Sequence, residues 1–102
     1  MYQLVYLPIA RKDMMEIVRY ISNDLCNPSA AKGIAEEMIK AAAKLIDFPY
    51  ANSVHHTVKP LKYEYRKLIV KNYIMFYWID ETEKTVTIAR VVYGRRDYRK
   101  LL

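Results

Sequence analysis

Apolar positions in the first half of the chain recur every three or four residues, which is the period of an amphipathic helix. This spacing runs first over about residues 9 to 25, with Pro8 at a position where a helix can begin. It resumes over about residues 31 to 47, where Asn27 and Pro28 supply a cap and a first helical residue. Because so short a break joins them, the two helices are predicted to form an antiparallel hairpin.

Short runs of β-branched, aromatic and aliphatic residues predict four strands around these helices. The first run is Tyr2–Leu7, and the others follow the polar loop Phe48–Pro60 as residues 64–70, 73–79 and 85–93. The breaks between the last three strands have hairpin lengths, so these strands are predicted to form an antiparallel meander. The order β-α-α-β-β-β predicts an α+β fold in which the helix hairpin packs on one face of an antiparallel sheet.

The strand at residues 73–79 is apolar on both of its faces. The helices can cover one face, and no further segment of the chain is predicted to cover the other. A contiguous apolar patch is typical of an interaction surface. We therefore predict that Tyr73, Phe76 and Trp78 contact a partner, with partial shielding by tyrosines and long side chains as the alternative.

Length and composition fit one domain over residues 1–102. Of these residues 53% are hydrophobic, and a chain of this size can bury enough of them to form a core. The only cysteine, Cys26, excludes an internal disulfide and fits a reducing compartment. The chain start does not resemble a signal peptide, and no apolar run approaches the roughly 18 residues of a membrane span. We expect a soluble cytoplasmic protein that has no metal, no cofactor and no membrane contact.

Charge is distributed unequally between the two halves of the chain. Residues 1–47 hold six basic and six acidic residues, whereas residues 48–102 hold eleven basic and five acidic residues, which accounts for the net charge of +6. Such asymmetry indicates an anionic partner, namely nucleic acid, a ribosome or an acidic protein. Solubility alone is the alternative explanation.

The basic residues of the second half are the predicted contact groups for a target or a partner protein. The set is Arg66, Lys67, Lys71, Arg90, Arg95, Arg96, Arg99 and Lys100. Arg90 falls on the same side of its strand as Val86, Ile88 and Val92, where a guanidinium requires an acidic or phosphate partner. An ion pair of Arg90 with Glu64 or Asp80 is the alternative to a binding role.

His55 and His56 are the only histidines. Neighbouring residues in an extended loop point apart and seldom bind one metal together. Either imidazole can act as a base near neutral pH, and a role at the loop surface is the alternative. Tyrosines between the basic residues, among them Tyr63 and Tyr98, have rings that can stack on RNA bases, although tyrosine is also a good strand former.

Four segments together resemble the RelE/ParE superfamily of toxins from bacterial type II toxin–antitoxin modules. They are "NPSAA", "FP", "YRKLIVKNYIMFYWID" and "VTIARVVYGRRDY", and the resemblance spans about residues 2–100. It implies a toxin that arrests growth unless a cognate antitoxin, often acidic in this family, wraps around it. It also implies the element order that the hydrophobic pattern predicts.

The superfamily divides by mechanism, and the residues of this chain bear on that division. RelE-type members cleave mRNA on the ribosome with lysines, arginines and a C-terminal tyrosine. By resemblance, those positions fall on Arg66, Leu68, Ile74, Arg96 and Leu102, so three of the five are apolar here. ParE-type members poison DNA gyrase and share the "FP" turn, the "YR" strand start and the arginine-rich end. The resemblance therefore favours a ParE-like inhibitor of gyrase that acts by surface contact.

The sequence leaves two alternative functions open. It therefore also leaves open whether the protein is an enzyme. The first is a RelE-like, ribosome-dependent endoribonuclease that acts on mRNA. Its candidate catalytic residues are Arg66, Arg96 and Tyr98, with His55, His56 and Glu64 as weaker candidates. The second is a basic nucleic-acid-binding module without toxicity.

Overall fold

Two helices pack against one face of a four-stranded sheet in the computed structural model of the chain, which describes residues 1–56, 61–95 and 102. The elements follow one another in the order β-α-α-β-β-β. This architecture confirms the α+β fold that the hydrophobic pattern predicts.

Both helices begin at a proline, as predicted. Helix α1 spans Pro8–Arg19 and continues as a π-helical turn over Tyr20–Asp24, and helix α2 spans Pro28–Ala43 and continues as a 3-10 turn over Lys44–Ile46. The Asn27 side chain accepts a hydrogen bond from the Ala30 N–H at 3.1 Å, which caps α2. Within the described part of the chain, no helix is long and apolar enough to cross a bilayer.

The sheet is mixed, with β1 at one edge. Its strands are β1 (Gln3–Tyr6), β2 (Arg66–Val70), β3 (Tyr73–Asp80) and β4 (Thr85–Tyr93), in the spatial order β1-β4-β3-β2. Strands β2, β3 and β4 form the predicted antiparallel meander. Strand β1 lies parallel to β4, in register from Gln3 beside Thr85 to Tyr6 beside Ile88, so the sheet is not antiparallel throughout. The last strand of the meander returns beside β1 in the same direction.

The larger core lies between the helices and the sheet. Its most completely buried side chains are Met38, Leu45, Met75, Tyr77, Val86 and Ile88. The Tyr77 hydroxyl donates to the Pro49 carbonyl at 2.8 Å and accepts from the Asn52 amide at 3.2 Å. Burial raises the pKa of Tyr77. These two hydrogen bonds attach the loop after α2 to the centre of the sheet.

A second apolar cluster covers the opposite face of the sheet, so the prediction that no segment of the chain covers this face is wrong. Its buried members are Tyr65, Ile74, Phe76, Ala89 and Val92, with Leu7, Leu61, Trp78 and Leu102 packed against them. The residues before β2 and the last residue of the chain supply this cover. Phe76 has no exposed surface and lies inside the cluster rather than on a binding face.

A β-bulge at Ala89 changes the direction of side chains along β4. Tyr77 pairs with Ile88 whereas Phe76 pairs with Arg90, so Ala89 is an extra residue on β4. Val86 and Ile88 belong to the helix-facing core, but Val92 belongs to the second cluster. The prediction of one common side for Arg90, Val86, Ile88 and Val92 is therefore wrong, because the bulge interrupts the alternation.

Asp13 of α1 binds Arg90 and the backbone of β4 at the point where β1 has ended. Its Oδ2 accepts from Arg90 Nε at 2.8 Å and from the Val91 N–H at 2.9 Å, and its Oδ1 accepts from Arg90 Nη2 at 3.0 Å. The Asp13 and Arg90 side chains are only 11% and 15% exposed. The partner of Arg90 is thus Asp13, not Glu64 or Asp80, and these hydrogen bonds raise the pKa of Arg90.

Glu81, in the turn between β3 and β4, binds two other segments of the chain and Lys84 of its own turn. Its Oε1 accepts hydrogen bonds from the hydroxyls of Tyr2 and Tyr50, and its Oε2 accepts from Lys84 Nζ at 2.7 Å. The bonds from Lys84, Tyr2 and Tyr50 lower the pKa of Glu81 to about 2. The bond to Glu81 raises the pKa of Tyr50 to about 12. This network joins the N-terminus, the loop after α2 and the β3–β4 turn.

We predict that the Asp13–Arg90 pair behaves as a coupled unit in stability measurements. Asp13→Ala leaves a buried guanidinium and the Val91 N–H without their acceptor, and should lower the free energy of unfolding by about 3–5 kcal/mol. In a urea-unfolding cycle with Arg90→Met, the double variant should lose less than the sum of the two single variants. The exposed Glu36, which pairs with Lys32 at 4.0 Å, is the control, and Glu36→Ala should change stability by less than about 0.5 kcal/mol. Additive losses would contradict the coupling.

We predict a pH dependence of stability that Glu81→Gln removes. The pKa of Glu81 is lower in the folded state, so its contribution is complete above about pH 4.5 and declines as the pH falls toward 2. The pKa of Tyr50 is higher in the folded state, so its contribution declines as the pH rises from about 10 toward 12. Urea unfolding should show a larger gap between wild type and Glu81→Gln near neutral pH than at either extreme. Glu83→Gln, in the same turn, is the control; an equal gap at all pH values would contradict the assignment.

Candidate functional site

The first predicted site residue, Arg66, is held in place by its neighbours at the start of β2. Its Nη1 donates to the Asn52 carbonyl at 2.7 Å, and its guanidinium carbon lies 4.9 Å from the centre of the Tyr50 ring. Glu64 Oε1 lies 3.8 Å from Arg66 Nη2, and only 16% of the Arg66 side chain is exposed. Arg66 therefore orders the loop after α2 and offers little of its guanidinium to a ligand.

The predicted histidines follow the outer edge of β2. Val54 forms an antiparallel bridge with Arg66, and the His55 N–H donates to the Tyr65 carbonyl at 2.7 Å. The His55 ring stands edge-on to Phe76, with 5.2 Å between centroids. Burial lowers the pKa of His55, and the charges of Lys67 and His56 lower it further. His55 is half-buried, whereas His56 is exposed.

Aromatic rings cover Trp78 on the face opposite the helices. The Tyr63 ring stacks on Trp78 with 3.9 Å between centroids and 3° between planes, and Tyr65 meets Trp78 edge-on at 5.9 Å. Lys62 Nζ lies 5.3 Å from the centre of the Tyr63 ring. Trp78 is half-buried, so this part of the predicted apolar contact surface is partly shielded by tyrosines. That outcome is the alternative that the sequence leaves open.

The remaining predicted basic residues are distributed over different parts of the surface. Lys67 is half-buried on β2, and Arg95 is exposed just after β4. Lys71 is exposed in the β2–β3 turn, where its Nζ lies 3.6 Å from Glu37 Oε1 of α2. The other predicted residues lie outside the described part of the chain: Arg96, Tyr98, Arg99 and Lys100.

A groove separates the end of the helix pair from the far end of the sheet, and we call it the helix–sheet groove. It has a volume of about 890 Å³ and lies between α1, the π turn and α2 on one side and the ends of β3 and β4 on the other. Its apolar lining includes Ile17, Tyr20, Leu25, Tyr73 and Tyr93. Tyr73, predicted as a contact residue, meets Tyr93 here with 5.8 Å between ring centroids.

Sequence reasoning missed the acidic side of this groove. Asp13, Glu16 and Glu37 line it, together with Lys71. One signal was available: Asp13 stands four residues before Ile17 and therefore lies on the apolar stripe of α1, where a charged residue calls for a buried partner. Arg90, isolated in an apolar strand, is the matching signal.

The helix–sheet groove and the exposed basic residues can bind a partner through apolar and charged contacts. Within residues 1–56, 61–95 and 102, no group of three or more histidine, cysteine, aspartate or glutamate side chains is placed to hold a metal ion. The catalytic candidates that the structure describes each have a different structural environment. Arg66 supports a loop, His55 packs against Phe76, and Glu64 faces solvent beside Arg66.

Solved toxin structures share this fold. The toxin of the chromosomal ParDE toxin–antitoxin system of P. aeruginosa superposes with a TM-score of 0.73 and 16% identity, over 91% of this chain and 96% of that one. The intact E. coli RelBE toxin–antitoxin complex contains a chain with a TM-score of 0.62 and 15% identity, over 94% of this chain and 100% of that one. The isolated E. coli RelE toxin superposes with a TM-score of 0.61 and 15% identity, over 100% of this chain and 100% of that one. At these identities the similarity establishes the fold.

The family follows from the sequence comparison. No curated protein matched the chain. Residues 4–98 match the family model described as the ParE toxin of the type II toxin–antitoxin system, parDE. Because this match covers nearly the whole chain, the protein belongs to the ParE toxin family of type II toxin–antitoxin systems.

Proposed function

We propose that this toxin arrests growth by contact inhibition of DNA gyrase, that it does not cut nucleic acid, and that an antitoxin neutralises it. The observation that carries the proposal is the burial of Leu68 and Ile74. They stand at positions where RelE-type members, by resemblance, have a lysine and an arginine. Each is 9% exposed, Leu68 in the helix-facing core and Ile74 in the second cluster. Neither position can present a charged group to a phosphate without disrupting the core.

The contacts of Arg66 and Arg90 support the same proposal. Arg66 donates to the Asn52 carbonyl, and Arg90 binds Asp13 through two hydrogen bonds. Phosphodiester cleavage requires a charged group free to stabilise the transition state and groups placed to move protons. Arg66, a candidate for that purpose, and Arg90, a predicted contact residue, already have structural roles in this chain. A surface inhibitor has no such requirement.

A protein antitoxin and a cytoplasmic site of action complete the proposal. The structures of similar fold include toxins in complex with antitoxins, which supports such a partner for this chain. The basic second half, with Lys62, Lys71 and Arg95 exposed, supports contact with an acidic protein surface or with the DNA that gyrase holds.

Expression of the chain alone should stop growth, induce the DNA-damage response and leave mRNA intact. The measurement combines growth curves, a damage-response reporter and mapping of mRNA ends, with antitoxin co-expression as the control. The purified toxin should inhibit supercoiling by gyrase. Codon-phased mRNA cuts without damage would replace this proposal by the ribosome-dependent nuclease. Normal growth at good expression would favour the non-toxic nucleic-acid-binding module.

We predict that Arg96→Ala raises the toxin concentration needed to inhibit gyrase by at least about tenfold. This is the effect expected when one charged contact that contributes substantially to binding is lost. Arg96 is the arginine after the last strand that the family resemblance retains. Lys40→Ala is the matched control, since it removes one positive charge from an exposed position on α2, in the neutral half of the chain. Equal inhibition by both variants would show that the charged tail has no role in the target contact.

A further inference from the structure

We propose that two copies of this chain associate through the free edge of β1, which pairs in antiparallel orientation with β1 of the second copy. Strand β1 ends the sheet order, and β4 is its neighbour on one side. The pairing would join the two four-stranded sheets into one continuous sheet. The inference concerns how the toxin assembles and does not depend on which target it inhibits.

One side of β1 bonds toward β4, and the other side is open. The N–H groups of Gln3 and Leu7 donate to carbonyls on the β4 side at 2.8 and 2.9 Å. In a parallel pair every second residue faces the neighbouring strand, so the backbone groups of Leu4 and Tyr6 face away from β4. Among the described residues, none bonds to the N–H or the carbonyl of Leu4 or Tyr6. These groups are available to another strand.

The two edges of the sheet differ in their cover. On the outer edge of β2, Val54 forms a bridge with Arg66, and the Lys67 N–H donates to the Ser53 carbonyl at 3.0 Å. Proteins usually protect an exposed edge strand with a charged residue, a proline, a bulge or a covering segment. The strand Gln3–Tyr6 has no charged residue and no proline, and it pairs with β4 without a bulge. Strand β1 is therefore suited to pairing with another strand.

The residues on either side of the open stretch determine the register. The Tyr2 N–H already donates to the Ile46 carbonyl at 3.2 Å, and Pro8 has no N–H to donate. Pairing is thus limited to Leu4 and Tyr6, and the register that uses both places Leu4 opposite Tyr6 of the second copy. Such a pair exchanges both of its N–H···O bonds, so the two symmetry-related pairs would form about four hydrogen bonds.

The side chains of β1 suit contact with an identical strand. In this register Val5 lies on the two-fold axis opposite Val5 of the second copy, with Cβ atoms roughly 4.5–5.5 Å apart. Val5 is 43% exposed, and Leu4 and Tyr6 are half-buried, so apolar surface remains to be covered. No residue from position 2 to position 7 is charged, so the pairing places no like charges opposite each other.

Charges at the two ends of β1 favour an antiparallel copy. Burial raises the pKa of Tyr6 and the charge of Arg11 opposes that rise, which places Arg11 near the end of β1. Asp47 follows Ile46, whose carbonyl binds Tyr2 at the start of β1. Arg11 and Asp47 are exposed and form no ion pair within the described part of the chain. An antiparallel copy brings Arg11 of each chain toward Asp47 of the other.

The contact is small, so the association should depend on concentration. Stable interfaces bury about 1,600 Å², which is more than a pair of four-residue strands can supply. Sedimentation equilibrium of the purified full-length chain should show a reversible monomer–dimer equilibrium without larger species, since one edge is used by both copies. A chain that stays monomeric up to about 1 mM would overturn the proposal.

Val5→Lys tests whether β1 forms the contact. It places two like charges opposite each other on the two-fold axis and should weaken the dimer by at least about tenfold. Ile69→Lys is the matched control, because Ile69 is 67% exposed on β2 and the same charge is added to the other edge strand. The control should dimerise like wild type, and thermal unfolding should show that both variants are folded. Equal association of the two variants would overturn the contact through β1.

A charge exchange tests the orientation of the two copies. Arg11→Asp and Asp47→Arg should each weaken the dimer by at least about tenfold, because each variant brings like charges together at both ends. An equimolar mixture of the two variants should recover wild-type association, since one chain then supplies two aspartates and the other two arginines. A mixture that associates no better than the separate variants would overturn the antiparallel arrangement.

Amide hydrogen exchange locates the new hydrogen bonds. Exchange at Leu4 and Tyr6 should slow about tenfold at a concentration where nine chains in ten are dimeric, because the second copy supplies their acceptors. The Leu7 amide already donates on the β4 side and is the internal control, with no change expected. Unchanged exchange at Leu4 and Tyr6 in a dimeric sample would place the interface elsewhere and overturn the proposal.

Discussion

The contact between Asp13 and the end of β4 determines how the rest of the molecule is arranged. Its carboxylate accepts from Arg90 and from the Val91 N–H in the place where a neighbouring strand would otherwise supply an acceptor. It therefore attaches α1 to β4 beyond the last residue that β1 reaches. Because both charged side chains are largely withdrawn from solvent, the loss of either would leave the other poorly solvated and without its partner. The helix–sheet groove opens beside this contact, and Asp13 is part of its lining.

The order and bounds of the elements follow from local information in the sequence. Prolines at the helix starts, the Asn27 cap and the two short breaks between strands act within a few residues of themselves, so periodicity and turn chemistry reveal them. The parallel placement of β1 does not follow, because strand direction depends on where the chain returns after two helices. The Asp13–Arg90 pair joins residues 77 positions apart, and no local pattern encodes such a partner.

The candidate site was less predictable than the fold for a related reason. Composition identified the basic half of the chain, but the bulge at Ala89 and the loop before β2 decide which of those residues remain accessible. Arg66 and Arg90 are of a residue type common in binding sites, but their contacts within the chain are structural. Phe76 and Trp78 were recognised as apolar residues on a second face, yet Leu61, Tyr63 and Tyr65, which come just before β2, cover that face. Side-chain direction and the covering of a face by a loop are tertiary properties. A single sequence indicates them only where a residue departs from the local pattern, as Asp13 does on the apolar stripe of α1.

The stack of Tyr63 on Trp78 has a spectroscopic consequence. Trp78 is the only tryptophan of the chain, so all indole emission comes from one ring on the face opposite the helices. Its intensity and wavelength depend on whether Tyr63 and Tyr65 keep water from that ring. Neither Trp78 nor the two tyrosines that contact its ring line the helix–sheet groove. The protein thus carries an intrinsic optical probe that distinguishes partners of one face from partners of the other.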